Sequence, residues 1–559
     1  MPTYKTPNVY VEEISKLPPS VVSVSSAVPV FIGYTEKAGE GLSLKNKPTR
    51  ITNLLEYEAF FGGPETVELI ANVRPDGSVK TAEPVNPLTH VMHPSLDIFF
   101  KNGGGPCYII SIGTYKDTMD KAHFEDALTK LQKEDEPTII VLVDAIHLNP
   151  TDATPYYDLC QQAIAQCAKL KDRFLVIDVL PQEEEGKDPI IKSAEVLRSK
   201  IGTSNLKYAA AYYPYLETSL VYAYQETGVT IKHDYGVWDS DTNGLRVLAN
   251  EMGQTIETTA NPGSITFAYT AGGAEDGGDA AGGKLTINLG EGDVTPSQVL
   301  SAWESCSDVS LKKSFSLFIN GDGSAAIKGG GACEAPADQN LGDPTLATDD
   351  SQLYNSVKLG LTTQYMTLAP SAAIAGVYCR VDAERGVWKA PANVSLASVV
   401  KPTELITNLD QEDLNVHTSG KSINAIRFFT DKGVLVWGAR TLAGNDNEWR
   451  YVPVRRLFNL IEESIQKATQ FAVFEPNDVN TWMTVKIMIE NYLLTLYQQG
   501  AFSGSTPEEA YFVKVGLGET MDSQDILEGR LKFEVGVCAV RPAEFVILQF
   551  SHKVQGAAA

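Results

Sequence analysis

Two aspartates, Asp144 and Asp178, stand at the ends of adjacent predicted strands, where open α/β sheets place catalytic groups. No base, nucleophile or glycine loop accompanies them, so strand-end caps and loop hydrogen bonds are the stronger reading. His90 and His93 have the spacing of a metal pair, but no third ligand is evident, and a surface loop is expected there. The run Gly103-Gly104-Gly105-Pro106-Cys107-Tyr108 precedes a strand and reads as a tight entry turn. Nowhere does GxxxxGK(S/T) or GxGxxG follow a strand and open a helix, so no phosphate cradle is expected. The seven cysteines (107, 160, 167, 306, 333, 379 and 538) are odd in number, scattered and without a CxxC pair, as small core thiols of a reducing compartment would be. The sequon Asn393-Val394-Ser395 has no consequence in a cytoplasmic chain. No catalytic residue, cofactor or metal ligand follows from these patterns. Arg440, Arg450, Arg455 and Arg456 remain as a basic cluster, either paired internally with Asp446, Glu448 or Glu462 or facing an acidic partner.

The elements that position these residues belong to a long chain. At roughly 100 to 200 residues per domain, 559 residues imply about three or four domains. Hydrophobic residues at 43% and charged residues at 21% are ordinary globular values, which excludes wholesale disorder or a fibrous repeat. Met1 to Pro7 shows no basic or apolar leader pattern, and apolar runs such as Ile139 to Val143 fall far short of the roughly 20 residues that span a bilayer. A cytoplasmic chain, kept there until released, is the expectation. A net charge of -24 argues against nucleic acid or an anionic membrane as a partner, because phosphate contacts need clustered Lys and Arg. The acid is uneven: residues 1 to 350 carry 27 basic against 48 acidic side chains, and 351 to 559 carry 19 against 22. A nearly neutral last third can pack against copies of itself.

Along the chain, residues 8 to 35 are β-branched with flanking prolines, which is edge-strand or strand-addition chemistry, and Val28 to Tyr34 reads as a buried strand. From 122 to 225, helices (Ala122 to Lys133, Pro155 to Lys169, Ile190 to Ile201) alternate with strands (Thr138 to Asp144, Arg173 to Leu180, Lys207 to Tyr213), the order of a parallel sheet faced by helices. Residues 232 to 348 are glycine-rich with short β-type runs, interrupted by a helix from Thr295 to Cys306 with Thr295 as N-cap. Beyond 350 the spacing predicts a helix over Ser351 to Met366, its continuation or a second helix over Pro370 to Ala375, a strand pair over Ala425 to Trp437, helices Val454 to Phe471 and Asp478 to Gln499, and strands Phe533 to Val540 and Glu544 to Val554.

The stretch Ala369-Pro370-Ser371-Ala372-Ala373-Ile374-Ala375-Gly376-Val377-Tyr378-Cys379-Arg380-Val381-Asp382, followed by Arg385-Gly386-Val387-Trp388-Lys389-Ala390-Pro391-Ala392-Asn393, resembles the signature of contractile phage-tail sheath proteins. Further blocks agree in order: Ile423 to Arg427, Val436 to Leu442, Arg455 to Leu457, Phe474 to Asn477, Arg541 to Phe545, and Thr6 to Glu13 near the start. The opening through Pro29 to Ala38 is most similar to sheaths of bacterial extracellular contractile injection systems. Asn8 departs from a common Gly, but Asn also tolerates positive φ.

The resemblance implies an α/β and α+β multidomain fold: arms at 1–27 and 543–559, a discontinuous body at 28–121 and 349–542, an α/β middle domain at 122–231, and an inserted β-rich outer domain at 232–348. It implies a structural subunit, not an enzyme, that polymerises as stacked, six-fold rings around an inner tube and contracts from a metastable extended state. Its partners would be copies of itself, the inner tube protein, and baseplate and tail-terminator or cap proteins, within a phage-tail-like particle released from the cell. An α/β enzyme, or an adhesin using the central insertion, are the alternatives. Each chain end would donate a strand to a neighbour, with Val21, Val22 and Val24 packing one arm and Phe545, Ile547, Leu548 and Phe550 the other. The segment Ile14 to Ser26 reaches on the order of 40 Å at about 3.3 Å per residue. Under this reading Arg440, Arg450, Arg455 and Arg456 would face the tube or a neighbouring subunit. Trp388 would fill a core pocket and Pro391 would fix a chain reversal.

Overall fold

A computed structural model describes residues 21–261, 264–270, 283–290, 293–327, 329–545 and 547, apart from the side chain of Leu42. The chain divides into two compact units, one of residues 1–64, 90–218 and 367–559, the other of residues 65–89 and 219–366.

The first unit is built on a mixed nine-stranded sheet. Its strands are β1 (Pro29–Thr35), β2 (Thr49–Ile51), β3 (Cys107–Thr114), β4 (Ile139–Leu142), β5 (Phe174–Asp178), β6 (Ala209–Tyr213), β7 (Val394–Ser395), β8 (Ile423–Phe429) and β9 (Gly433–Val436), in spatial order β2-β3-β1-β4-β5-β6-β8-β9-β7. The six strands from β3 to β8 run parallel, with Ile32 opposite both Ile110 and Leu142, and Ala211 opposite Ile177 and Ile423. Period-two burial on both faces requires helices above and below, because a parallel sheet has no solvated side. Ile32, Ile140, Leu175, Ile177 and Ala211 pack with residues of α3 (Lys121–Leu131), α4 (Thr154–Leu170) and α5 (Pro189–Lys200). The alternate residues meet the other layer. Phe31 stacks edge-on against Phe99 of α2 (Met92–Lys101) with centroids 4.9 Å apart, and Tyr212 shares a 2.7 Å hydrogen bond with Tyr378 of α6 (Ser371–Arg385). At Gly376 the two helices of this layer approach so closely that a Cβ would stand 2.5 Å from the Phe99 carbonyl oxygen.

After α7 (Asn408–Asn415), β8 and β9 come two long helices, α8 (Val452–Ala468) and α9 (Val479–Gln498), which bury Leu457, Leu460, Ile461, Ile489 and Leu493 in a shared core. A separate antiparallel pair, β10 (Tyr511–Val515) and β11 (Phe533–Val537), packs on this core through Val513 and Val535.

The second unit holds three small sheets. Residues 69–73 pair in parallel with 229–233, strands 236–239, 245–249 and 315–319 form an antiparallel sheet, and a mixed sheet pairs 284–288 in parallel with 255–259 and antiparallel with 266–270, with a short antiparallel partner of 255–259 at 331–332. Trp238, Val247, Leu285, Trp303 and Phe315 form its main core. The expected helix near Thr295 runs Pro296–Ser305, with the Thr295 N–H donating to Gln298 Oε1 at 2.9 Å.

The α/β and α+β multidomain class holds, but the units do not follow the expected boundaries. Residues 122–231 supply β4, β5 and β6, the centre of the sheet that 28–121 and 349–542 complete, so no separate middle domain exists. Residues 65–89 and 349–366 leave the expected body, because Leu69 and Ala71, together with Leu353, Val357 and Leu361 of the helix Ser351–Leu361, share a core with Val229 and Ile231. That helix stops short of Met366, and Tyr365–Leu368 is a strand. Periodicity identified each element; it carries no information about which element lies beside which. No helix among the described residues is long and apolar enough to cross a membrane.

Candidate functional site

The chemistry-bearing residues resolve into structural roles. Asp144 is fully buried and accepts from the N–H of Tyr34 at 2.6 Å and of Val91, ahead of α2, at 2.7 Å. Asp178 accepts from the Ser371 N–H at 2.7 Å at the start of α6, and burial pushes its carboxyl up to about 7 against that hydrogen bond. Both act as helix caps. His90 is buried rather than on a surface loop, stacking on Tyr115 at 5.1 Å, and His93 Nε2 meets Glu58 Oε1 at 2.9 Å. Among the described residues no group of three or more His, Cys, Asp or Glu could hold a metal.

The arginine cluster is corrected. Arg440, Arg455 and Arg456 are buried, so none of them faces a tube or a neighbour. Arg455 reaches Glu462, the internal pairing anticipated above, and its guanidinium lies 4.3 Å from the Trp449 ring centroid and 5.0 Å from that of Tyr208. Arg450 is half-buried, donating to the Gly444 carbonyl at 2.8 Å and to Asn447 at 3.0 Å. The remaining two arginines hold the chain ends.

At the amino end, Arg456 forms a two-toothed pair with Asp382 at 2.9 and 2.6 Å beneath the Tyr378 ring. The same guanidinium donates to the Ser26 carbonyl at 3.0 Å, the Ser26 hydroxyl donates to Asp382 at 2.6 Å, and Thr138 Oγ1 donates to the Ser26 carbonyl at 3.0 Å. The chain is thus gripped at Ser26, three residues before β1. Upstream the hold is slight: the Val24 N–H donates to Ser464 at 3.1 Å, and Ser23 meets the Tyr492 hydroxyl at 3.5 Å. Val21 and Val24 are partly buried against the subunit's own α8–α9 core, while Val22 is 79% exposed. Beside them runs a groove of about 420 Å³ lined by Asp382, Trp388, Leu460, Tyr492 and Thr495, and Trp388 borders it while packing against the α8–α9 core.

At the carboxyl end, Arg440 forks onto Glu544 at 2.8 and 2.6 Å, joined by Asn415 at 2.9 Å and Tyr451 at 3.1 Å. Burial works to raise the Glu544 carboxyl, yet the bonds from Arg440 and Asn415 win and hold it below its ordinary value. Phe545 and Ile547 beyond it are 69% and 81% exposed, and Leu548 and Phe550 lie outside the described residues. Among the described residues no third strand joins either edge of the β10–β11 pair. The roles of Ser26, Thr138, Asp382 and Glu544 are not readable from the sequence, because each works through a partner more than 70 residues away.

Residues 444–553, which include this pair and α8 and α9, match the family described as the phage tail sheath C-terminal domain. The tail sheath protein of Vibrio phage KVP40 is 25% identical over 215 residues, 38% of this chain and 30% of that protein's length. The chain aligns over 99% of its length with all of the sheath chain in the anti-feeding prophage helical sheath in contracted state, at 27% identity and a TM-score of 0.55. The chain is similar to contractile tail sheaths over nearly its whole length. This sheath relative also matches a chain of the anti-feeding prophage baseplate, 6-fold symmetrised, over 99% of its length and all of that chain, with 28% identity and a TM-score of 0.55. The alignment with the phage protein spans less than a third of that relative.

Proposed function

We propose that this chain is the structural subunit of a contractile sheath, polymerising as stacked six-fold rings around an inner tube and shortening from a metastable extended state to drive the tube through a target envelope. The observation that carries the reading is the open-edged β10–β11 pair standing in a subunit whose two chain ends are each fixed at one buried arginine. A strand added to such an edge makes about five backbone hydrogen bonds, each contributing roughly 1 kcal/mol net, and it holds while the bodies turn. The anchors at Ser26 and Glu544 let tension in an arm pass into the nine-stranded sheet. Likeness to a sheath solved in its contracted state supports shortening, and likeness to a baseplate chain supports a baseplate partner. Contacts that repeat without closing on themselves give a helical stack, and two packings of one subunit give contraction without a nucleotide. Assembly begins in the cytoplasm that makes the chain, and a cap or terminator ends the stack.

Removing residues 1–20 and 548–559 leaves both anchors in place. Electron microscopy of the truncated chain produced with its inner tube protein should show folded subunits and no sheaths; full-length sheaths that contract normally would overturn the reading.

A further inference from the structure

Both chain ends are fastened outside the strands they adjoin. The amino-terminal chain is held at Ser26, where Arg456 and Thr138 donate to the carbonyl and the hydroxyl donates to Asp382, and β1 begins only at Pro29. The carboxyl-terminal chain leaves β11 at Val537; the N–H groups of Cys538 and Val540 donate to the Ala510 and Ala501 carbonyls at 2.8 and 3.2 Å, and the chain is held again at Glu544. The two holds share one support. Glu544 is gripped by Arg440 and by the Tyr451 hydroxyl, and Arg440 and Tyr451 are themselves an antiparallel backbone pair, with the Thr441 N–H donating to the Arg450 carbonyl at 2.8 Å and the Val452 N–H to the Ala439 carbonyl at 3.0 Å. Tyr451 is the N-cap residue of α8, and Arg456, which grips Ser26, stands five residues further along the same helix. At about 1.5 Å per residue the two supports lie roughly 7.5 Å apart along its axis. Val452, Pro453, Val454 and Arg455 between them are all buried, and close packing leaves such a turn no room to stretch.

We infer that the start of α8, from Tyr451 to Arg456, is a crosspiece that carries tension from one arm to the other, so that a pull on either chain end is stopped before it peels β1 or the β10–β11 pair. The inference rests on the reading above that the arms join neighbouring copies, and specifies how one subunit withstands being pulled from both ends. Without the hold at Glu544, a pull on the carboxyl arm would act on β11 from its end at Val537, whose cross-strand partner is Tyr511, and a ladder loaded at one end gives way one bond after another. With the hold in place, the forked bonds from Arg440 and those from Asn415 and Tyr451 must break together. Charge-assisted, two-toothed bonds are the stronger kind, and the Arg440 side chain is only 4% exposed. Arg440 is braced in turn by Asn424 of β8, which accepts from its N–H at 2.7 Å and donates to its carbonyl at 2.8 Å, while Thr138 at the other hold stands just ahead of β4. The nine-stranded sheet therefore backs the crosspiece from inner strands, and its terminal strand β1 takes no pull along its length.

The test pulls single subunits of the full chain in an optical trap at constant force, by tags fused to both ends. Glu544→Gln keeps the length of the side chain and removes the charge onto which Arg440 forks. It should speed the first opening about tenfold or more. That opening should lengthen the chain by on the order of 100 Å, as when the residues from Tyr511 to Glu544 come free at roughly 3.5 Å each. A second geometry pulls the amino end against a handle attached at residue 527, which is 81% exposed and lies between β10 and β11. That route enters the hairpin directly and bypasses Glu544, so here the variant should open at the parent's rate. Equal acceleration in both geometries would show that Glu544 merely stabilises the fold, and an unchanged rate between the ends would show that it carries no tension; either result overturns the crosspiece. Should Glu544→Gln not fold, Tyr451→Phe, which removes only the hydroxyl's bond, is pulled in its place under the same criteria. Sheaths built by the truncated chain described above would end the arm-linked polymer, whereas the trap, which needs no polymer, decides the crosspiece alone.

Discussion

Arg456 carries a full charge to a place where its side chain is 3% exposed, beside an Asp382 carboxylate that is 5% exposed. Such a pair contributes little compared with a well-packed apolar substitute, but losing one partner strands the other without water. Here the stranded group would also lose its hold on Ser26, so the cost falls at the root of the arm. Asp382→Asn should lower the unfolding free energy by about 3–5 kcal/mol in urea titrations. The matched control is Glu462→Gln, which removes the 39%-exposed partner of Arg455; that arginine keeps its bond to Asn459 and its aromatic faces, and the loss should stay below about 1 kcal/mol. Equal losses in the two variants would show that the Arg456 pair holds nothing beyond its own charge.

At the scale of the element, the helices and strands of 122–225 were legible because their periods alternate cleanly between 3.6 and 2, and α8 and α9 because their apolar spacing runs long. Neighbours were not legible: nothing in Leu69–Val73 announces a parallel partner at Val229–His233, and β10 at Tyr511–Val515 was not read as a strand. The candidate site was half readable. Alternating apolar residues mark the arms, whereas the burial of Arg440, Arg455 and Arg456 depends on a tertiary fold that charge clustering cannot foretell. The signature stretch has its own physical reason at Gly376, where α6 meets α2. Ala is the better helix former by about 1 kcal/mol. Its Cβ, however, would press on the Phe99 carbonyl at 2.5 Å and on Asn102 Cβ at 3.0 Å, and backbone cannot swing aside as a side chain does. Overpacking costs about 1–3 kcal/mol. Gly376→Ala should therefore lower the thermal midpoint, as scanning calorimetry would read; a raised midpoint would show that the helices part freely.

For the whole molecule the deciding quantity is where the charge lies. The unit of residues 65–89 and 219–366 holds 23 acidic against 9 basic side chains, so it carries more than half of the chain's net charge of -24. Copies brought together in the proposed polymer would repel through that excess, and the nearly neutral stretch 351–559 would supply the attraction. The two contributions respond oppositely to salt. Screening shortens the reach of the repulsion from about 10 Å at 0.1 M to about 3 Å at 1 M. Apolar burial and backbone hydrogen bonds are not weakened in that way. Raising NaCl from about 0.05 to 0.5 M should therefore lower the concentration at which the subunits polymerise, measured by light scattering and sedimentation. If attraction instead came from basic patches on one copy meeting this acidic unit on another, the same titration would dissolve the polymer, and the division of labour between the two units would have to be redrawn.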